Sequence, residues 1–121
     1  MKILLIVEDN PQMREMIKSL FSDSFYQIFE CEDGSEALGA YKLYKPDWVL
    51  MDIVMKKMDG LTATKQILNS FPDAKVIIVT DYDDEKLREK AKSTGAYDYV
   101  LKEDLSVLEK IFKNKFSIKH N

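Results

Sequence analysis

Acidic residues follow two apolar runs of the chain at the points where those runs end. Glu8 and Asp9 come directly after residues 3–7, and Asp52 closes the run 48–52. A buried carboxylate without a partner is costly, so Asp52 must reach water, a partner or a metal ion. Clustered carboxylates repel one another and need a cation, and all-oxygen ligands favour a hard ion such as Mg²⁺. These three residues are therefore candidate ligands of a divalent metal.

Two further polar residues end apolar runs, Thr80 after residues 75–79 and Lys102 after residues 97–101. Each has an ordinary structural explanation when taken alone: Asp9 as a helix-entry residue, Thr80 as a β-branched strand residue, Lys102 as a solvated lysine. Together they fit phosphoryl transfer to a carboxylate. An aspartate attacks phosphorus to form an acyl phosphate, and a lysine and a threonine then pair with the phosphoryl oxygens. We interpret Asp52 as that nucleophile.

The apolar runs alternate with helix-length segments, which predicts the elements that position these side chains. Five strand-like runs cover residues 3–7, 26–31, 48–52, 75–80 and 97–101, and three of them lack polar alternation. Such strands are typical of a parallel sheet that is buried on both faces. Helices are predicted after each run, the first capped by Asn10 with Pro11 next, the fourth ended by Gly95. The order predicts an α/β fold, (βα)5, with a doubly wound, five-stranded parallel sheet of the flavodoxin-like kind.

The sheet explains why the polar residues must meet. In open parallel sheets, ligands bind beyond the carboxyl ends of the strands, where the strand order reverses. Every candidate residue stands at such an end, so three carboxylates, a hydroxyl and an ammonium are expected to converge on one edge of the sheet.

Composition limits the class of protein. The chain has 121 residues, 45% hydrophobic and 32% charged, with a net charge of −3. We expect one domain over residues 1–121, no direct nucleic-acid ligand, because phosphate backbones require a basic surface, and no membrane segment, so a cytoplasmic location. Cys31 is the only cysteine and is interpreted as a core residue. The terminal segment KNKFSIKHN is a short basic tail in which His120 is expected to be solvated.

The motifs also resemble a known family. Glu8-Asp9, the segment DIVMKKMDG from Asp52, Thr80 and the segment YVLK that ends at Lys102 are together similar to the receiver domain of two-component response regulators, the chemotaxis regulators included. The resemblance implies that Glu8, Asp9, Asp52 and the Val54 carbonyl hold Mg²⁺. It implies that Asp52 is the phosphoacceptor and that Thr80 and Lys102 engage the phosphoryl group. Tyr99 would be an aromatic switch residue that moves with Thr80, and Gly60 would form the tight turn after the site.

The same resemblance implies partners and an output. A sensor histidine kinase or a phosphotransfer protein would donate the phosphoryl group, which would switch the surface of the fourth helix, fifth strand and fifth helix. That surface would control a downstream protein or a missing output domain, and phosphorylation-dependent homodimerisation through the last helix is possible in this family. We expect a signalling switch that catalyses only its own phosphorylation and dephosphorylation, and we expect no output domain within the chain.

Three positions depart from the family pattern. Lys56 stands where proline is common and is followed by Lys57, and the two either attract an anionic phosphodonor or are simply solvated. Asp81 replaces the small residue that usually follows Thr80, so it should disfavour an incoming phosphoryl group unless it points away or meets a lysine. Glu103 replaces the proline that usually follows the lysine, so the Lys102–Glu103 peptide is trans or is held cis by strain.

Other functions are weighed against the switch. A phosphohydrolase resembling the haloacid dehalogenase family would need a second aspartate two residues after Asp52, where the chain has Val54. A flavodoxin-like cofactor carrier would need a Ser/Thr/Gly-rich loop after the first strand, where the chain has EDNPQM. A receiver that signals by binding alone, without phosphorylation, stays open because of Asp81.

Overall fold

The computed structural model describes the backbone of residues 2–119 and the side chains of residues 2–113, so the expectation for His120 lies outside it. Five strands and five helices alternate along the described chain. Their bounds are β1 Ile3–Val7, α1 Pro11–Phe21, β2 Gln27–Cys31, α2 Ala37–Tyr44, β3 Trp48–Met51, α3 Gly60–Ser70, β4 Val76–Thr80, α4 Glu85–Thr94, β5 Asp98–Leu101 and α5 Ser106–Lys119. Short 3-10 helices, Gly34–Glu36 and Lys102–Asp104, precede α2 and α5.

The five strands form one parallel sheet in the order β2-β1-β3-β4-β5. This confirms the predicted doubly wound α/β fold. The strand order reverses between β1 and β3, whose carboxyl ends therefore flank the crevice in which ligands of such sheets bind.

Successive side chains of the central strands enter two separate hydrophobic cores. Leu4, Ile6, Trp48 and Leu50 pack with residues of α1 and α5 on one face of the sheet. On the other face, their chain neighbours pack with residues of α2, α3 and α4; these neighbours are Leu5, Val7, Val49 and Met51. The period of two in a strand explains this division. It also explains why β1, β3 and β4 read as continuous apolar runs, because both of their faces are buried.

The predicted helix boundaries depend on local caps that the structure confirms. The Asn10 side chain accepts a hydrogen bond from the Met13 amide at the start of α1, and Pro11 is the first helical residue. Gly95 ends α4 with a φ of 104°, a left-handed conformation in which glycine is favoured. The two 3-10 helices were not predicted, because one turn of helix is too short to produce a periodic pattern.

The strand ends differ from the predicted runs by one residue. Tyr26, Lys75 and Tyr97 precede β2, β4 and β5, and Asp52 follows β3 as the first residue of the next loop. The Asp52 amide still donates to the Val7 carbonyl at 2.9 Å, so the backbone of Asp52 stays tied to the end of β1.

Among residues 2–119, no helix is long and apolar enough to span a lipid bilayer.

Candidate functional site

The carboxyl ends of β1 and β3 bring three acidic side chains together. One carboxylate oxygen from each of Glu8, Asp9 and Asp52 lies within 4.8 Å of the other two. Glu8 and Asp52 are buried, with 2% and 7% of their surface exposed, and Asp9 is half-buried. Carboxylate oxygens are ligands that a hard divalent cation such as Mg²⁺ prefers, so the chemistry of the donor set fits that ion.

Lys102 reaches this cluster from the end of β5. Its ammonium lies 2.9 Å from Glu8 Oε1 and 3.4 Å from Asp52 Oδ1, and its side chain is largely buried. The strand order places β5 at the edge of the sheet, so the long lysine side chain is what allows a residue of β5 to reach acids on β1 and β3. The predicted convergence of Glu8, Asp52 and Lys102 is present in the structure.

The electrostatics of the cluster follow from burial and crowding. Burial, and then the charge of Glu8, hold the pKa of Asp52 above its usual range, although the Lys102 ammonium acts in the opposite direction. Burial alone would lower the pKa of Lys102. Its hydrogen bond with Glu8 and the charge of Asp52 outweigh burial and raise the pKa instead. In the metal-free protein, Asp52 is therefore a carboxylate under repulsion.

Backbone contacts fix the two loops that carry the acids. The backbone amide of Asn10 donates to Glu8 Oε2 at 3.1 Å, and the Arg14 guanidinium donates to the Glu8 carbonyl at 2.7 Å. Asp52 Oδ1 accepts from the Ile53 amide at 2.9 Å. Gly60 packs against Asp52 so closely that a Cβ there would lie 1.8 Å from the Asp52 carbonyl oxygen. Gly60 thus permits the tight return of the chain that the sequence predicted.

The Val54 carbonyl belongs to the same β3–α3 loop, two residues after Asp52, and the Val54 side chain is exposed. The loop closes at its base, where the Gly60 amide donates to the Ile53 carbonyl at 2.8 Å. Lys56 and Lys57 are exposed in this loop.

Thr80 and Tyr99 do not contact the acidic cluster through any hydrogen bond among the described side chains, but they share one neighbour. Thr80 is fully buried at the end of β4, and its hydroxyl accepts from the Tyr82 amide at 3.2 Å. Tyr99 donates its hydroxyl to the Tyr82 carbonyl at 2.6 Å. The two predicted switch residues are therefore joined through the backbone of Tyr82, a link that the spacing of the residues did not reveal.

Tyr99 is also held by α4. The Arg88 guanidinium lies 4.6 Å from the Tyr99 ring centroid and pairs with Asp83 at 3.1 Å. Burial, more than the nearby charges, raises the pKa of the Tyr99 hydroxyl, so it stays protonated as a donor at neutral pH. Beside it, a groove of about 350 Å³ opens between α4 and β5, lined by Arg88, Ala91, Lys92, Ala96, Tyr97, Asp98 and Tyr99.

The departures from the family pattern also have places in the structure. Asp81 Oδ2 lies 4.0 Å from the Lys102 ammonium, and 74% of the Asp81 side chain is exposed. Asp81 has therefore met a lysine, one of the two arrangements that would reduce its repulsion. The Lys102–Glu103 peptide is trans. Cys31 is buried, and burial raises the pKa of its thiol to about 11, as suits a core residue rather than a redox group.

Three residues outside the predicted set contribute to the site. They are Arg14, which binds the Glu8 carbonyl, Tyr82, which joins Thr80 to Tyr99, and Asp33, which accepts hydrogen bonds from the β3–α3 loop. The bonds of Asp33 to the β3–α3 loop and of Tyr99 to Tyr82 join residues 17 or more positions apart, so local spacing gives no signal for them.

Comparison with known proteins agrees with this geometry. The family model of the response regulator receiver domain matches residues 4–113. The chemotaxis protein CheY of Listeria monocytogenes is 42% identical over 100 residues, which cover 82% of this chain and 84% of that protein. The transcriptional regulatory protein DegU of Brevibacillus brevis is 35% identical over 102 residues, which cover 83% of this chain but only 43% of DegU. The chain thus spans less than half of that regulator.

A solved structure extends the likeness to three dimensions. The response regulator protein TrrA of Thermotoga maritima, crystallised in complex with Mg²⁺ and BeF, matches with a TM-score of 0.84 and 31% identity. The match covers 94% of this chain and 98% of TrrA. Sequence, fold and site geometry agree, and the chain belongs to the receiver domain family of two-component response regulators, whose general function is phosphorylation-based switching.

Proposed function

We propose that Asp52 is the phosphoacceptor of this receiver and that a sensor histidine kinase or a phosphotransfer protein supplies the phosphoryl group. The observation that carries the proposal is the position of Asp52, within 4.8 Å of two other carboxylates and 3.4 Å from the Lys102 ammonium. A structural carboxylate needs no such neighbourhood. A nucleophile that must receive a dianionic group does, because developing charge has to be stabilised on a rigid frame.

Glu8, Asp9, Asp52 and the Val54 carbonyl would hold Mg²⁺. The three carboxylates lie close enough to share one ion, and TrrA, which shares the fold, was crystallised with Mg²⁺ and BeF. When bound, the ion supplies charge neutralisation for the carboxylates and for the phosphoryl oxygens.

In the transfer, an Asp52 carboxylate oxygen attacks phosphorus and forms an O–P bond. The N–P bond of the donor phosphohistidine breaks, and the imidazole nitrogen leaves with the bonding electron pair. Lys102 then exchanges its contact with Asp52 for a phosphoryl oxygen, while Ile53 keeps its amide directed at the carboxylate. The chain catalyses its own phosphorylation and dephosphorylation and is otherwise a signalling protein, not an enzyme.

Thr80, Tyr82 and Tyr99 would transmit the change. If the Thr80 side chain rotates to bring its hydroxyl to a phosphoryl oxygen, the hydroxyl oxygen moves away from the Tyr82 amide, and the Tyr82 carbonyl that anchors Tyr99 is released with it. Tyr99 lines the groove between α4 and β5, so its movement changes the face that a downstream protein or an output domain would read. Only a different affinity of the phosphoryl group for the two arrangements is needed.

The relatives differ in their outputs, one being a chemotaxis protein and the other a transcriptional regulatory protein. A cytoplasmic location and phosphorylation-dependent homodimerisation through the last helix stay predictions. The proposed activity itself is carried by residues of this chain alone.

The test is intact-mass analysis after incubation with acetyl phosphate and Mg²⁺. We expect one phosphoryl adduct on the wild-type protein, none on Asp52→Asn, and none on the wild type in EDTA. Arg14→Lys is a useful partner variant, because it keeps the charge near Glu8 but loses part of the fork that Arg14 presents to Glu8 and Glu30. It should be phosphorylated more slowly at the same residue.

A receiver that signals by binding alone is the alternative, and one observation favours it: Lys102 already has acidic partners in Glu8, Asp52 and Asp81. Absence of an adduct on the folded wild-type protein, together with failure to bind beryllofluoride and Mg²⁺, would establish that alternative. An adduct that persists in Asp52→Asn would place the acceptor elsewhere and refute the assignment of Asp52.

A further inference from the structure

Asp33 is a buried carboxylate that connects two loops at the edge of the sheet. It lies in the segment after β2, yet its Oδ1 accepts the Lys57 amide at 2.9 Å and its Oδ2 accepts the Met58 amide at 3.2 Å. Oδ2 also accepts the Ser35 amide at 2.9 Å, which caps the short 3-10 helix. A cap of one turn needs only that last bond. The two bonds to residues 24 and 25 positions away require another explanation.

Gly34 shows that the same contact is steric as well as polar. A Cβ at Gly34 would lie 2.4 Å from the Met58 carbonyl oxygen and 3.2 Å from the Ala63 Cβ. The backbone of Gly34 does not have a positive φ, so its conformation is open to any residue and the glycine serves to provide space. Asp33 therefore pulls the β3–α3 loop inward, and Gly34 allows the loop to come that close.

The segment that Asp33 holds, Lys57 and Met58, lies inside the loop that the base closes. The Gly60 amide and the Ile53 carbonyl close the loop at one end. Within the described chain, residues 54–59 donate two hydrogen bonds to the segment after β2. Asp33 accepts both of them. The side chains of Met55 and Met58 pack against the core beneath, which places the loop roughly but does not orient its carbonyl groups.

We propose that Asp33 and Gly34 are positioning residues for the metal site, because together they set the place of the loop that carries the Val54 carbonyl. This inference depends on the proposed function, in which that carbonyl is a ligand of Mg²⁺. A side-chain ligand can adjust by changing rotamer, whereas a backbone carbonyl moves only with its loop. The groups that hold such a ligand typically affect metal affinity by about 10–100-fold.

The experiment is calorimetric titration of Mg²⁺ into four variants and the wild type. Asp33→Ala removes both loop bonds, and Gly34→Ala pushes the Met58 carbonyl while leaving the carboxylate in place. Two controls match them. Asp47→Ala removes a carboxylate that accepts the Ile3 amide at 2.7 Å, at the amino ends of β1 and β3. Gly39→Ala adds a methyl group where nothing lies within 4 Å.

We expect both test variants to bind Mg²⁺ at least about tenfold more weakly than the wild type, and both controls to stay within about twofold. Hydrogen exchange should be faster at the amides of Lys57 and Met58 in Asp33→Ala. Phosphorylation by acetyl phosphate should slow at low Mg²⁺ and recover at saturating Mg²⁺, a dependence that general destabilisation does not produce.

Two results would overturn the inference. If the test variants unfold cooperatively at lower temperature but bind Mg²⁺ within twofold of the wild type, Asp33 is a structural cap only; if Asp33→Ala does not fold, Gly34→Ala decides by the same criterion. If the wild type itself binds no Mg²⁺, the proposed metal site fails, and the inference fails with it for that separate reason.

Discussion

Removing the charge of Asp81 should accelerate phosphorylation by a small anionic donor. Asp81 Oδ2 lies 4.0 Å from the Lys102 ammonium, on the solvent side of the contacts that Lys102 makes with Glu8 and Asp52. A donor that approaches Lys102 from solvent therefore meets the Asp81 carboxylate at close range. Asp81→Asn keeps the size and the hydrogen-bonding capacity of the side chain and removes only its charge.

The size of the effect follows from distance and exposure. Because 74% of the Asp81 side chain is exposed, the interaction takes place at nearly the dielectric constant of water, where two unit charges about 4 Å apart interact by about 1 kcal/mol. At a separation of about 7 Å, a dianionic phosphoryl group is repelled by a similar amount. We expect a rate increase of about fivefold at low salt, falling to about twofold near physiological ionic strength, where the Debye length is about 8 Å.

The assay is the rate of adduct formation by intact mass with acetyl phosphate at fixed, saturating Mg²⁺ and two salt concentrations. Asp73→Asn makes the same change in net charge at an exposed position between α3 and β4, before the amino end of β4. It should leave the rate unchanged. Equal rates for the two variants, or a ratio that does not shrink as salt is added, would show that Asp81 does not act on the approaching donor.

Three further outcomes are expected. In EDTA at pH 8, Asp52→Asn should raise the free energy of unfolding by about 1–2 kcal/mol, because it removes a buried carboxylate that Glu8 repels. Under the proposed function, saturating Mg²⁺ should stabilise the folded wild type and reverse that order in thermal melts. Asp33→Ala should destabilise the protein less at pH 3 than at pH 6 in urea titrations. Backbone hydrogen bonds lower the pKa of Asp33 to about 2, so the stability it contributes is complete above about pH 4 and is lost as the pH falls toward 2. Tyr99→Phe should cost at most about 1.5 kcal/mol of stability, because the lost bond to the Tyr82 carbonyl is partly exposed, and should weaken the effect of phosphorylation on partner binding without slowing phosphorylation itself.

The elements of the fold were predictable because their signals are local. Burial on both faces gives β1, β3 and β4 their unbroken apolar runs, and Asn10, Pro11 and Gly95 mark helix ends by their own backbone chemistry. The carboxyl ends of parallel strands meet at one end of the sheet, so the position of Glu8, Asp52 and Lys102 after their strands predicted that they converge. In the structure, the Lys102 ammonium lies 2.9 Å from Glu8 Oε1 and 3.4 Å from Asp52 Oδ1.

The supporting contacts were not predictable for the corresponding reason. Asp33 reaches Lys57 and Met58 across 24 and 25 residues, and Arg14 reaches a backbone carbonyl of the preceding loop. Neither contact has a periodic pattern, because each depends on how two irregular loops pack after the sheet has formed. Asp81 is intermediate: its charge is evident in the sequence, but only the fold shows that the lysine beside its exposed side chain is Lys102.

The charges at the carboxyl ends of β1 and β3 favour the binding of a divalent cation beside Lys102. With all three carboxylates ionised, the cluster and Lys102 together carry a net charge of −2, which one divalent cation neutralises. Without the cation, burial and the charge of Glu8 hold the pKa of Asp52 above its usual range. A larger fraction of Asp52 is therefore protonated near neutral pH than of an ordinary aspartate. A bound divalent ion would lower that pKa and keep the Asp52 carboxyl group ionised. Protons compete with the metal for Asp52, so phosphorylation should require a higher Mg²⁺ concentration below neutral pH than above it. Rates measured over a range of pH and Mg²⁺ concentration would detect this competition.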